Sequence, residues 1–167
     1  RIMDVIMAIP GIVMAAITVL SFSRALDPGN KVGVTFVVVL SIAFVYSPQL
    51  ARIVRANVMA AYGEDYVRAV IVSGARAPWI LFKHVVRNTA APVLVFATVL
   101  VADAIILEAS LSFIGAGLQS ATVATWGNVL ADASANGSLI FGAWWTAFFP
   151  GVLICLLYTS PSPRDAT

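Results

Sequence analysis

Charge is scarce in this chain. Asp, Glu, Lys and Arg make up 11% of its 167 residues and hydrophobic residues 60%, whereas about a quarter of a soluble domain is charged. With a mean hydropathy of +0.95, the chain lacks the polar shell that a soluble helical bundle of this size needs. Cysteine is nearly absent. Cys155 alone excludes an intrachain disulfide and leaves the redox compartment unspecified; within an apolar run it reads as an inert, buried thiol. Histidine is also single: His84 has no Cys or acidic cluster beside it, so it reads as a packing or hydrogen-bonding residue and no metal site is expected. A nucleotide loop is missing too. Gly115-Ala-Gly117 lacks the further Gly and the Lys-Ser/Thr of a phosphate cradle, so the chain is not expected to hydrolyse ATP, and no cofactor is expected. The net charge of +2 is small, and no nucleic-acid partner is expected.

Long uncharged stretches are what the sequence has instead. Four apolar stretches, at about residues 5–22, 32–51, 89–107 and 139–157 and charged only at Asp103 in the third, have the length a membrane-spanning helix needs. Their many Val and Ile residues do not argue for strands, because a run of this length in lipid must pair its own backbone groups, as a helix does. Pro10-Gly11 falls near the start of the first and Pro48 near the far end of the second. The third contains Pro92 and Asp103; the fourth has Trp144-Trp145 at an expected interface and a bend at Pro150-Gly151. Arg24, Asp27, Pro28, Gly29 and Asn30 form a turn between the first two. Residues 109–138 are neither clean span nor clean loop. With Gly115, Gly117, Gly127 and Gly137 and a short helix from about Trp126 to Ala135, they read as a partly re-entrant extracytoplasmic excursion.

Residues 52–88 are a basic island. Arg52, Arg55, Arg68, Arg76, Lys83 and Arg87 face only Glu64 and Asp65, while the loops on the opposite side hold Arg24 and Lys31 in the first and no basic residue between Ala109 and Leu139. That asymmetry assigns the island to the cytoplasm. Two short helices are predicted within it. The first runs from about Glu64 to Ser73, with Glu64 and Asp65 at its N-terminus, where negative charge is favoured, and Gly74 at the left-handed C-cap position. The second opens near Pro78. It carries Trp79, Phe82 and Val86 on one face and Lys83 and Arg87 on another.

The order Glu64-x-Tyr66-Val67-x-Ala69, then Gly74-Ala75, then Lys83-His84-Val85-x-x-Asn88, resembles the EAA loop of ABC importer permeases. The run Glu108-Ala-Ser-Leu-Ser-Phe-Ile-Gly-Ala-Gly-Leu-Gln119 with Trp126-Gly-Asn128 is similar to the dipeptide, oligopeptide and nickel branch. The eponymous Glu-Ala-Ala stands as Arg68-Ala69-Val70 here, and the Pro common after the His is Arg87. The resemblance implies an all-α polytopic membrane protein, a type I, MetI-like importer transmembrane domain preceded by further spans. It implies a permease subunit that moves peptides or a related small solute such as nickel by alternating access. Its expected partners are cytoplasmic ABC ATPase subunits, a second permease subunit, an extracytoplasmic solute-binding protein and the bilayer. Glu64, Tyr66, Val67, Arg68, Ala69, Gly74 and Ala75 would form the ATPase-coupling element. An ion-coupled secondary transporter or a non-transporting scaffold is the alternative, and neither needs a helix-Gly-helix element in its longest cytoplasmic loop.

Asp103 and Glu108 are the acids within or beside a span, where ionisable groups are costly. Five residues of α-helix put them about 140° apart, so they do not form a paired-carboxylate site. Glu108 suits a structural hydrogen bond near the outer mouth or a contact with substrate. Trp126 and Asn128 suit either the lining of an entrance that receives a binding protein or an interfacial turn. The stretch 158–167, where hydrophobicity stops and Pro161 and Pro163 arrive together, departs from the resemblance and reads as a non-native tail.

Overall fold

The computed structural model describes residues 2–23, 31–118, 123–137 and 142–159. All regular structure among them is helical. The predicted turn at residues 24–30 and the tail beyond residue 159 lie outside the described residues.

Helix α1 (Ile2–Met7) and helix α2 (Gly11–Ser23) divide the first apolar stretch, which was expected to run unbroken with a kink. Pro10 has no N–H to donate and biases its predecessor away from helix. Its carbonyl opens α2 instead, accepting from Val13 and Met14 at 3.0 and 3.1 Å. Helix α3 (Lys31–Tyr62) carries Pro48 in its interior. It continues past the expected end at Ala51, because the exposed Arg52 and Arg55 interrupt hydrophobicity without interrupting the helical backbone. Its 32 residues extend about 48 Å, well beyond a hydrocarbon layer of about 30 Å.

After the short helix α4 (Asp65–Val72), helix α5 (Ala77–Ile80) passes through a π-helical turn (Leu81–Val85) into α6 (Val86–Phe113). The third helical rod therefore begins at Ala77, not at Thr89, and runs 37 residues. It and α3 are long and apolar enough to cross a membrane. Helix α7 (Trp126–Ala135) matches the short helix expected there. Helix α8 (Trp145–Thr159) includes Tyr158 and Thr159, so the apolar helix outlasts the point where the tail was expected to begin. Trp144 packs edge-on against Trp145 and Phe148 at its start, with ring centroids 6.2 and 5.6 Å apart.

The described chain gathers into two compact units, residues 1–46 with 101–167, and residues 47–100. The first is built where α2, the N-terminal half of α3 and the end of α6 meet. Ala15, Leu111 and Ala116 are buried there with Ile42, Val45 and Leu107 around them, and Val19, Val38 and Leu118 form an adjoining cluster. Small residues permit this approach: a methyl on Gly11 would sit 3.1 Å from Val45 Cγ1. Close contact of this kind holds helices together in lipid, where apolar burial alone gives no drive. Hydroxyls inside the apolar helices bond back to their own turns, as Thr18 to Met14 O (3.0 Å) and Ser41 to Val37 O (2.8 Å). The second unit is held by a cluster of Val67, Ile80 and Val85.

Leu111 is fully buried whereas Leu94, on the same helix, is 65% exposed. Leu111→Ala is expected to lower stability by about 2–5 kcal/mol through the cavity it leaves. Leu94→Ala should cost less than about 1 kcal/mol, as thermal unfolding of the detergent-solubilised protein will read.

Candidate functional site

The expected coupling residues lie in one helical hairpin of the second unit. Beyond α3 the chain turns through Gly63 and Glu64, whose N–H groups donate to Ala60 O and Ala61 O at 3.0 and 3.3 Å. Glu64 is the extended N-cap residue of α4. Its side chain makes no cap hydrogen bond, and its carbonyl accepts from Val67 and Arg68 at 3.1 and 3.3 Å. The carboxylates of Glu64 and Asp65 thus stand at the positive end of the helix dipole. At the other end Gly74 takes φ +82°. Its N–H donates to Ile71 O (3.0 Å) and that of Ala75 to Val70 O (3.4 Å). This pair of bonds is a Schellman closure, completed by the apolar contact of Ala75 within the cluster that holds Val70.

Val67 is fully buried among Ile80, Val85, Val58, Ala61, Val70 and Leu81. Within the expected coupling element it is enclosed by its own chain and anchors α4. The facing side chains, Ile80 and Val85, are five residues apart. A regular α-helix would set them about 140° apart. The π-helical turn, closed by the Val86 N–H on Leu81 O, brings residues five apart toward one side.

The face that packs on α4 is thus that of Ile80 and Val85. Trp79, Phe82 and Val86, read as an apolar face, are 46%, 74% and 44% exposed. Lys83, expected on another face, lies over Trp79 with Nζ 4.7 Å from the ring centroid. His84 packs edge-on to Trp79 at 5.0 Å, with a buried Nε2 that has no hydrogen-bond partner.

The outward side of α4 carries Tyr66, Arg68 and Ala69, together with Ile71 and Val72, which sequence reasoning did not select. Val72 is 87% exposed. Such bare β-branched residues on a polar hairpin resemble core residues in a sequence, and only the fold places them outside. Arg68 stands 3.9 Å from Asp65 in an exposed pair, which contributes little to stability and leaves the guanidinium accessible.

The residues expected near the outer mouth lie in the first unit. Glu108 Oε1 accepts from the Ser112 hydroxyl at 2.6 Å, one turn along α6. The helix continues to Phe113, beyond the expected boundary at residue 109, and reverses at Gly115 (φ +76°), with Ala116 N–H donating to Leu111 O at 2.9 Å. A methyl on Gly127 would run into the carbonyl oxygen of Ala109 and come within 2.9 Å of Ser112 Cβ. Helix α7 therefore starts directly on the backbone of α6. Asn128 is buried. Its Nδ2 donates to Val123 O at 3.1 Å and its backbone N–H to the cap Thr125 Oγ1 at 3.2 Å. Its amide secures the loop and does not line an entrance, whereas Trp126 remains partly exposed. Among the described residues no three His, Cys, Asp or Glu side chains converge as a metal site would require.

Residues 1–161 match the family described as binding-protein-dependent transport system inner membrane component. The chain belongs to this family. It is 36% identical over 156 residues to the di/tripeptide transport system permease protein of Pseudomonas aeruginosa, covering 93% of this chain and 47% of the relative. The dipeptide transport system permease protein of Escherichia coli K12 is 33% identical over 156 residues, covering 93% and 48%. The chain thus spans about half the length of the curated relatives it matches.

The C-cap gives the family's hairpin a direct test. A methyl on Gly74 meets nothing within 4 Å, so Gly74→Ala should cost about 1–2 kcal/mol from the left-handed conformation alone. Gly151→Ala, also in open space but within α8, should be neutral or gain up to about 1 kcal/mol. Thermal unfolding midpoints of the two variants compare them.

Proposed function

We propose that the chain is the membrane-spanning part of a permease subunit that imports peptides, driven by a separate cytoplasmic ATPase, and that α4 is the element through which the ATPase acts. The observation that carries this reading is the two-sidedness of α4. Val67 locks one side to Ile80 and Val85 at the root of a long membrane-capable helix. The other side offers Tyr66, Arg68, Ile71 and Val72 to a partner. A short helix fixed at one face and bare at the other transmits a push as a rigid body. The excess of basic residues over 52–88 supports a cytoplasmic position for the hairpin and several passes through the membrane. The peptide substrate follows the names of the matched relatives. A solute-binding protein on the outer side and a second permease subunit complete the assembly, and the spans alternate between inward-open and outward-open arrangements.

Crosslinking tests this in the full-length parent, in membranes. Because Cys155 is exposed, the background is Cys155→Ser, with single cysteines introduced by Arg68→Cys or Val72→Cys. Crosslinks to the cognate ATPase subunit whose yield changes with ATP are expected. Absence of any crosslink from either position, with a cysteine at Trp126 labelled from the cytoplasm, would overturn both coupling and topology.

A further inference from the structure

The outward face at the root of α6 is apolar, aromatic and basic, and α4 does not use it. Trp79, Phe82 and Val86 are all substantially exposed on it, and the exposed Lys83 and Arg87 stand among them. This face is continuous with a helix that enters an uncharged run at Thr89. Arg87 and Lys83 precede that point by roughly 3 and 9 Å along the axis, on the scale of the polar layer that borders bilayer hydrocarbon.

Charge and side-chain direction agree. No Asp or Glu occurs between Asp65 and Asp103, so the face has no acid of its own stretch to neutralise it. Helical side chains lean toward the N-terminus, which here is the end away from the hydrocarbon. Lys83 does so, its ammonium lying over Trp79 one turn back. The stem covers apolar surface while the charge is carried out toward the headgroups.

We propose that this face is a binding surface for anionic phospholipid: Val86 meets the upper end of the acyl chains, Arg87 and Lys83 take the phosphodiester, and Phe82 and Trp79 lie at and beyond the headgroups. The inference rests on α6 spanning the bilayer and is independent of the ATPase reading, since α4 presents a different set of residues.

The test uses the full-length permease with its partner subunits, reconstituted in nanodiscs. A bimane label at Val86→Cys, in the Cys155→Ser background, is quenched by acyl-chain nitroxide on either phosphatidylglycerol or phosphatidylcholine. Quenching by the anionic lipid should exceed that by the zwitterionic one by about threefold or more at equal mole fraction, given the attraction of each basic side chain for an anionic surface. Lys83→Gln with Arg87→Gln should bring the ratio to about one while quenching persists. Equal quenching before those substitutions would overturn the anionic preference. Loss of quenching by both lipids would show the face covered by protein; if it is lost only when the ATPase subunits are present, the face belongs to them and not to lipid.

Discussion

The contact on which the second unit depends is the burial of Val67 against Ile80 and Val85. Helix α4 has eight residues, too few to persist alone in water, and its exposed Arg68–Asp65 pair adds little. What fixes it is one enclosed side chain, a dipole-matched start at Glu64 and Asp65, and a glycine-dependent stop at Gly74. Because Ile80 and Val85 stand on the rod that continues to Phe113, the same contact ties the hairpin to a membrane-capable helix. The π-helical turn makes the contact possible by presenting residues five apart on a common side.

The first unit is organised by close backbone approach. Gly127 lets α7 rest on the carbonyl of Ala109, and Gly117 lies so near Ser112 that a methyl there would come within 2.6 Å of its hydroxyl oxygen. That hydroxyl already donates to Glu108. The acid, the serine and the two glycines thus form one packed junction between α6 and α7. Glu108 gains a hydrogen-bond donor in an apolar helix, which lowers the cost of keeping a carboxyl there. Junctions of this kind suit a segment that must keep its shape while neighbouring helices change partners.

Much of this was legible in the residues. The alternation of uncharged runs with a basic island led to a helical membrane component, and Glu64, Asp65 and Gly74 marked both ends of α4 because caps are local chemistry. The short helix from Trp126 to Ala135 was also readable, and the structure adds its cap, the Asn128 N–H donating to Thr125 Oγ1. What escaped was register and reach. A π-helical turn leaves no periodic trace, so the packing of Ile80 and Val85 on a common side could not be read from the spacing. Arg52 and Arg55 looked like the end of α3 because hydropathy stops there, although nothing in their chemistry stops a helix before Gly63. The buried state of Val67 and Asn128 follows from tertiary contacts that spacing does not encode.

In the proposed mechanism Val67 carries motion from an ATPase-facing helix into the membrane rod. The most direct measurement is the number of peptides imported per ATP hydrolysed by the reconstituted full-length transporter, compared between the parent and Val67→Ala. The ratio is expected to be several-fold lower in the variant with hydrolysis retained, because α4 still meets its partner but no longer moves the helix behind it. A ratio equal to the parent's, with Val67→Ala confirmed to loosen the hairpin by proteolysis, would contradict it.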